Sequence, residues 1–364
     1  MATEYFPQHF PAMTDVEPTP TPPPPAALES KEPREFGEIV LQIEHLDMQF
    51  SGRPVLRDIN ITVRRGETLA VIGESGCGKT VLLKNMIGLL LPTSGRVSFD
   101  GRDLSRLSQA ELAKQRTRYG FVFQQAALFD SISVGENIAF PLRQHTSTND
   151  ENIRKRIQTL LAEVGLPNDV ANKKPAELSG GMKKRVGFAR AMAMDPELIL
   201  YDEPTTGLDP IMSDVIGQLI VATRSNHDIT SVVVTHDMKL AAQVADRIVM
   251  LYPISRLKDD ESQILFEGTP FEIETSNDSR VTQFVRGEAG ERLMEMRKSS
   301  IETIDSENDP SREDSKNDDS IDLGGDDYQV EEYESDDEEY SDEPSNDESP
   351  LSEDRPDDTG GKLW

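Results

Sequence analysis

Residues 73–80 read GESGCGKT, which fits G-x-x-x-x-G-K-[ST], a loop that wraps backbone N–H groups around phosphate. Gly73, Gly76 and Gly78 carry no Cβ, so the chain can curl tightly and turn those N–H groups inward. Lys79 supplies a compact positive charge suited to β- and γ-phosphates, and Thr80 a hydroxyl suited to Mg2+. Glu74, Ser75 and Cys77 fill the variable positions between them. Upstream, TLAVIG (68–73) is an apolar run of strand type. Downstream, TVLLKNMIGLL (80–90) places Leu83, Met86, Ile87 and Leu90 at helical spacing. Strand, glycine loop and helix start arrive in the order an anion site requires. A chance glycine-rich turn is the alternative, and the flanking pattern speaks against it. The loop therefore implies a nucleoside triphosphate, and what that nucleotide drives has to be read from the remaining residues.

The two ends do not have the composition of a core. Residues 1–36 hold nine of the 23 prolines, including PTPTPPPP (18–25), which suits an extended, solvated segment. Residues 301–364 carry 26 Asp/Glu against four Lys/Arg, a net of −22 out of −29 for the whole chain, so residues 1–300 carry only −7. The acidity belongs to the tail, which has few apolar residues to offset the entropy of ordering. Such a tail either keeps the chain soluble or engages a basic partner or a basic face of its own domain. The expected organisation is a disordered proline-rich extension (1–36), a folded domain (37–290) and a disordered acidic tail (291–364). Cys77 is the only cysteine, so no intrachain disulfide can form. There is no apolar run of about 18 residues, and the start lacks both a signal-peptide and a transit-peptide pattern. These features predict a cytoplasmic protein.

Within the folded part, EIVLQIEHL and INITV alternate as strands, with Ile59, Ile61 and Val63 on one face, and VSFDG (97–101) reads as a hairpin end. ENIRKRIQTLLAEVG (151–165) puts Ile153, Ile157, Leu160, Leu161 and Val164 on one helical stripe, with Asn149 or Asp150 to cap its start and Gly165 its end. A second helix is predicted over MKKRVGFARAMAM (182–194). Buried strands are predicted at LILYDE (198–203), SVVVTH (231–236) and RIVML (247–251). Strands alternating with helices predict an α/β fold with a mostly parallel sheet, interrupted by a helical subdomain over about 105–190. No internal repeat is visible, so one nucleotide domain is expected.

A phosphate loop alone serves many enzymes, and four further segments narrow the choice. LILYDEP (198–204) ends an apolar strand in two carboxylates: Asp202 is placed for Mg2+, usually through water, and Glu203 for polarising an attacking water. LSGGM (178–182) opens a helix, so Ser179 and the Gly180 and Gly181 amides form a second site of phosphate grade. FVFQQ (121–125) brings Gln124 to a strand end, where its amide can touch Mg2+ and water, and VVVTH ends in His236, whose imidazole can contact a γ-phosphate. Taken singly, each has a plainer explanation as solvated acids, a surface glutamine or a structural histidine.

In this order, GESGCGKT, FVFQQ, LSGGM, LILYDEP, GLDP (207–210) and VVVTH together resemble the ATP-binding cassette family over roughly residues 37–290. The LSGG helix start is the most discriminating of them. The resemblance implies a cassette nucleotide-binding domain with a mostly parallel core sheet, an antiparallel β subdomain and a helical subdomain. It also implies ATP and Mg2+ as cofactors and a head-to-tail homodimer that sandwiches two nucleotides. Gly73–Thr80, Gln124, Asp202, Glu203 and His236 of one subunit then face Ser179 and Gly181 of the other, with Asp209 at the seam. Phe50, 23 residues before the loop, matches the family's aromatic that stacks on adenine, where ordinary strand core is the alternative.

Three stretches, FVFQQAALFDSISVGENIAFPLRQHT (121–146), LSGGMKKRVGFARA (178–191) and SRVTQFVRG (279–287), are similar to the ATPases of Mla and Mce lipid transporters. That likeness implies an integral-membrane permease and an Mce-type lipid-binding partner, and a cytoplasmic ATPase held peripherally at the inner face of the cytoplasmic membrane through the permease. The segment after Gln124 is where such a permease docks, with Leu128, Phe129 and Ile132 as candidate contacts. YPISRLKDDES (252–262) is longer than the usual tight turn at that place. The competing readings are transport of another solute and a nucleotide-dependent scaffold of a membrane complex such as cell-division machinery. Cassette proteins acting on ribosomes usually carry two cassettes and those acting on DNA long coiled coils; neither is present, so no nucleic-acid partner is expected.

Overall fold

The structure is a computed structural model that describes residues 35–288, so the expectations for most of the proline-rich extension and for all of the acidic tail lie outside the described residues. Among the described residues, ten strands form two sheets. β1 (Ile39–Phe50), β2 (Arg53–Arg64), β4 (Ser94–Phe99) and β5 (Arg102–Asp103) form an antiparallel sheet in the order β2-β1-β4-β5. The second sheet has the order β10-β9-β3-β8-β7-β6. Its members are β3 (Thr68–Gly73), β6 (Tyr119–Val122), β7 (Leu198–Asp202), β8 (Thr230–Thr235), β9 (Arg247–Leu251) and β10 (Ile264–Gly268). All neighbours are parallel except β10, which runs antiparallel to β9 at the edge.

The parallel strands are covered on both faces, which is why they read as unbroken apolar runs rather than as alternation. Along β7, Leu198 and Leu200 enter the core shared with the antiparallel sheet, whereas Ile199 and Tyr201 enter a second core beneath the helices. Along β3, Leu69 and Val71 join the first core, and Ala70 and Ile72 face a third one. The first core also takes Leu82, Leu83 and Met86 of α1 (Lys79–Met86). α1 is shorter than the apolar spacing to Leu90 predicts. Gly88 adopts φ +65°, a left-handed turn that stops the helix just after Ile87.

Four helices follow between the antiparallel sheet and β7: α2 (Gln109–Arg116), α3 (Val134–His145), α4 (Asp150–Glu163) and α5 (Gly180–Ala191). β6 lies among them in sequence but belongs to the edge of the parallel sheet. Asn149 caps α4 by accepting from the Asn152 N–H, and Gly165 sits just beyond its end at φ +66°. Ile153, Ile157, Leu160 and Leu161 form its buried stripe. The third core collects α7 (Met238–Val244), α8 (Pro270–Glu274) and α9 (Ser279–Arg286), while α6 (Pro210–His227) packs Ile216 and Ile220 into the second. Among the described residues, no helix is long and apolar enough to cross a membrane.

Candidate functional site

Four neighbouring parallel strands, β3, β8, β7 and β6, deliver the motif residues at their C-terminal ends, where open α/β sheets place ligands. The glycine loop follows β3, His236 follows β8, Glu203 follows Asp202 at the end of β7, and Gln124 lies two residues beyond β6. A cleft of about 860 Å3 opens over them. Glu74, Ser75, Gly76, Gly78, Lys79, Thr80, Gln124, Glu203 and His236 all line it.

The loop is folded by its own lysine. The buried Lys79 Nζ donates to the carbonyls of Gly73 (2.8 Å) and Glu74 (2.9 Å), which draws the chain into a ring. At Gly73 the φ is +145°, and a Cβ there would stand 2.3 Å from the Leu251 carbonyl oxygen. At Gly78 the φ is +100°, and a Cβ would meet Leu56 Cδ2 at 2.7 Å. Glycine is therefore required at both by conformation and by space. Gly76, by contrast, faces open space, so the loop presents a clear concave backbone surface to the cleft. That surface, next to a buried ammonium at a helix start, fits the phosphates of ATP. Cys77 is buried behind the loop, and burial pushes its thiol above the ordinary range, so it has the character of an inert core residue.

The Thr80 hydroxyl donates to Asp202 Oδ1 at 3.1 Å, joining the start of α1 to the end of β7. Asp202 is buried, and desolvation pushes its carboxyl up although the Thr80 hydrogen bond pulls the other way. A hydroxyl and a carboxylate are hard oxygen donors of the kind Mg2+ takes, and an adjacent cation stabilises the ionised acid.

Glu203 occupies a left-handed conformation, φ 48°, uncommon for a residue with a Cβ. Its N–H donates to the Val234 carbonyl at 2.9 Å, which anchors the turn to β8. The side chain then lies between two cationic or donor groups: Lys79 Nζ at 4.0 Å from Oε1 and His236 Nδ1 at 2.7 Å from Oε2. The Thr206 hydroxyl also donates to Oε2, at 3.2 Å. A carboxylate only accepts, so the hydrogen bond assigns the proton to Nδ1 of His236. A carboxylate held in this way at the cleft wall is a group able to orient and deprotonate water.

The remaining motif residues lie elsewhere. Ser179 caps α5, its Oγ accepting from the Met182 N–H at 3.3 Å, with Gly180 and Gly181 in the first turn. None of these three lines the cleft that contains Lys79. Asp209 caps α6 by accepting from the N–H groups of Ile211 (2.9 Å) and Met212 (3.0 Å), and Ile211 beside it is 77% exposed. Phe50 ends β1 with 44% exposure, so it is not core, and it is not among the cleft-lining residues.

The motifs do not point to several groups that shape the cleft. Lys184 in α5 donates to the Pro204 carbonyl at 2.8 Å, clamping the turn after Glu203, and burial lowers its pKa. Tyr252, Arg256, Arg280, Gln283 and Phe284 form a further wall. The unusual length of residues 252–262 and the likeness carried by SRVTQFVRG (279–287) are the signs in the sequence that something is built there.

This architecture and site define an ATP-hydrolysing cassette. The ABC transporter family profile matches residues 56–206. The intermembrane phospholipid transport system ATP-binding protein MlaF of Haemophilus influenzae is 40% identical over 250 residues, covering 69% of this chain and 91% of that protein. A probable ribonucleotide transport ATP-binding protein, mkl of Mycobacterium bovis, is 38% identical, covering 68% and 67% respectively. Among solved structures, a dimeric ATP-binding cassette in a post-hydrolysis state with ADP and Pi is 33% identical. It matches with a TM-score of 0.56 over 63% of this chain and 98% of that one. The chain belongs to the ABC transporter family.

Proposed function

We propose that this chain is the ATP-hydrolysing subunit of a transporter that moves phospholipid, or a similarly hydrophobic molecule, across the cell envelope. The observation that carries the cargo is the 40% identity that spans 91% of a relative named for intermembrane phospholipid transport. The competing cargo is a ribonucleotide, after the printed name of the second relative.

In this reading the amides of residues 73–80 and Lys79 hold the ATP phosphates, and Thr80, Asp202 and Gln124 hold Mg2+, which neutralises charge developing on the phosphates. Glu203 accepts the proton of the attacking water, and His236 faces the γ-phosphate. Ser179, Gly180 and Gly181 complete the site of a second copy, with Asp209 and the exposed Ile211 at the seam. Their position outside the Lys79 cleft supports action in trans. The dimeric state of the solved relative supports a homodimer. Phe50, exposed at the end of β1, is the adenine platform.

The permease docks in a shallow apolar groove of about 360 Å3 that contains Phe121, Phe123, Phe129, Phe140 and Met194. Phe123, Phe129 and Phe140 are 39%, 45% and 40% exposed, an unusual density of solvent-facing aromatics. Arg190 braces the groove floor by donating to the carbonyls of Ala126 and Ala127, both at 2.8 Å. The permease then holds the ATPase at the inner face of the cytoplasmic membrane, and an Mce-type protein receives the lipid. The test is to purify the tagged full chain from solubilised membranes, identify bound protein and lipid, and add phospholipid or ribonucleotide to the complex. A permease, an Mce-type protein and phospholipid-stimulated ATPase activity support the reading. Stimulation by ribonucleotide alone, or recovery of division proteins without a permease, overturns it.

A further inference from the structure

The segment between β9 and β10 is stitched to the phosphate loop rather than left as a free surface turn. Arg256 Nη1 lies 2.7 Å from Oε1 of Glu74, the second residue of the loop, and both side chains line the cleft. The side chains are only 25% and 17% exposed, so solvent screens this pair less than a surface one. The guanidinium also lies 4.8 Å from the centre of the Tyr252 ring, with Arg280 5.3 Å from the same ring. Gln263, 1% exposed at the end of the segment, donates to the carbonyls of Cys77 (3.0 Å) and Val55 (3.1 Å). Arg57 Nη2 in turn donates to the carbonyls of Lys258 and Glu261, both at 2.9 Å. The segment is therefore fixed at both ends and in the middle.

Glu74 places a negative charge in the wall of a cleft that has to receive a highly anionic triphosphate. Any part of that charge left unbalanced repels the ligand, and at the reduced dielectric of a part-buried site the repulsion is worth up to about a decade in affinity. We propose that Arg256 is a positioning residue for the phosphate loop: it holds the Glu74 carboxylate and offsets its charge, which tunes the affinity for ATP without entering the chemistry. Segment 252–262 carries this arginine to the loop. The proposal rests on the reading of residues 73–80 as the phosphate site.

The experiment compares steady-state ATPase kinetics of the full chain with Arg256→Ala, Arg256→Lys, Glu74→Gln, the Arg256→Ala/Glu74→Gln double variant and Lys79→Ala. Arg256→Ala should raise the KM for ATP by about tenfold and leave kcat within about twofold, because the carboxylate opposes binding and not turnover. Arg256→Lys should keep KM closer to wild type, since it retains the charge. The double variant should return KM to within about twofold of wild type, because no charge is left to neutralise. A purely structural role, or direct contact of Arg256 with the nucleotide, leaves the double variant as impaired as Arg256→Ala, and that result overturns the proposal. An unchanged KM in Arg256→Ala overturns it as well. Lys79→Ala separates the two levels: wild-type KM and kcat in that variant would instead remove the phosphate-loop reading on which the proposal stands.

Discussion

His236 Nδ1 stands 2.7 Å from Glu203 Oε2, a contact made by residues 33 positions apart that follow the ends of two adjacent strands. The parallel register of β7 and β8 pairs Asp202 with Val234, so the residues just beyond each end have to come together. Lys79, at 4.0 Å from the other carboxylate oxygen, completes a triad of side chains at the cleft wall. The arrangement holds the Glu203 carboxylate in one orientation at the cleft wall.

Glu203→Gln should retain ATP binding within a few-fold while lowering kcat by about two to four orders of magnitude. The amide preserves shape and hydrogen bonding to His236 but cannot take a proton from water. A long-lived ATP-bound dimer should accumulate on size-exclusion chromatography. Near-wild-type turnover in a steady-state assay would remove Glu203 from the role of base.

Ser179→Arg should be inactive as a homodimer, because a bulky cation blocks the start of α5 that meets the other subunit's nucleotide. Mixed with Lys79→Ala, it should regain activity well above either parent. In the mixed dimer one composite site combines an intact Lys79 with an intact Ser179. If the mixture stays as inactive as its parents while a mixed dimer is confirmed by crosslinking, the two motifs do not act in trans.

Phe129→Asp should leave the ATPase activity of the isolated chain within about twofold and abolish recovery of the permease from solubilised membranes. Phe129 is exposed and packs on Phe140 with ring centres 4.8 Å apart, so the change desolvates a charge only when the groove is filled. Undiminished recovery of the permease places the docking surface elsewhere.

Glu197 gives a prediction about stability alone. It lies just before β7 and pairs with Arg118 at 2.6 Å and Arg65 at 2.7 Å, and Asp100 pairs with both arginines in turn, which ties the antiparallel sheet to the parallel one. The Arg118 hydrogen bond, with that of Arg65, lowers its pKa from 4.5 to about 2 against the opposing pull of burial. A carboxyl whose folded pKa is depressed stabilises the fold fully above its unfolded value and loses that contribution as pH falls toward the folded one. Glu197→Gln should therefore cost about 1 kcal/mol at pH 7, the group being a third exposed and partly screened, with the gap to wild type closing as pH falls from about 4.5 to about 2. Urea melts at pH 7, 4 and 3 test this. A pH-independent gap assigns the effect to packing.

The sequence by itself determined whatever depends on neighbours along the chain. A glycine loop between an apolar run and a helical stripe, LSGG at a helix start and DE at the end of a buried strand are local patterns, and backbone sterics and capping act within a few residues. The stop of α1 at Gly88 was equally local, yet the apolar spacing to Leu90 masked it, because those residues keep packing beyond the helix. Only the tertiary structure decided which strand ends touch. Strand order β3-β8-β7-β6 differs from chain order, and it alone brings Lys79, Glu203 and His236 into one wall. The same holds for Arg256, which is 182 residues from Glu74 and meets it because Gln263 and Arg57 fold residues 252–262 back onto the loop. Hydrogen bonds of that kind carry no periodicity. Nothing in the spacing of residues along the chain encodes them, and they exist only once the two sheets have packed.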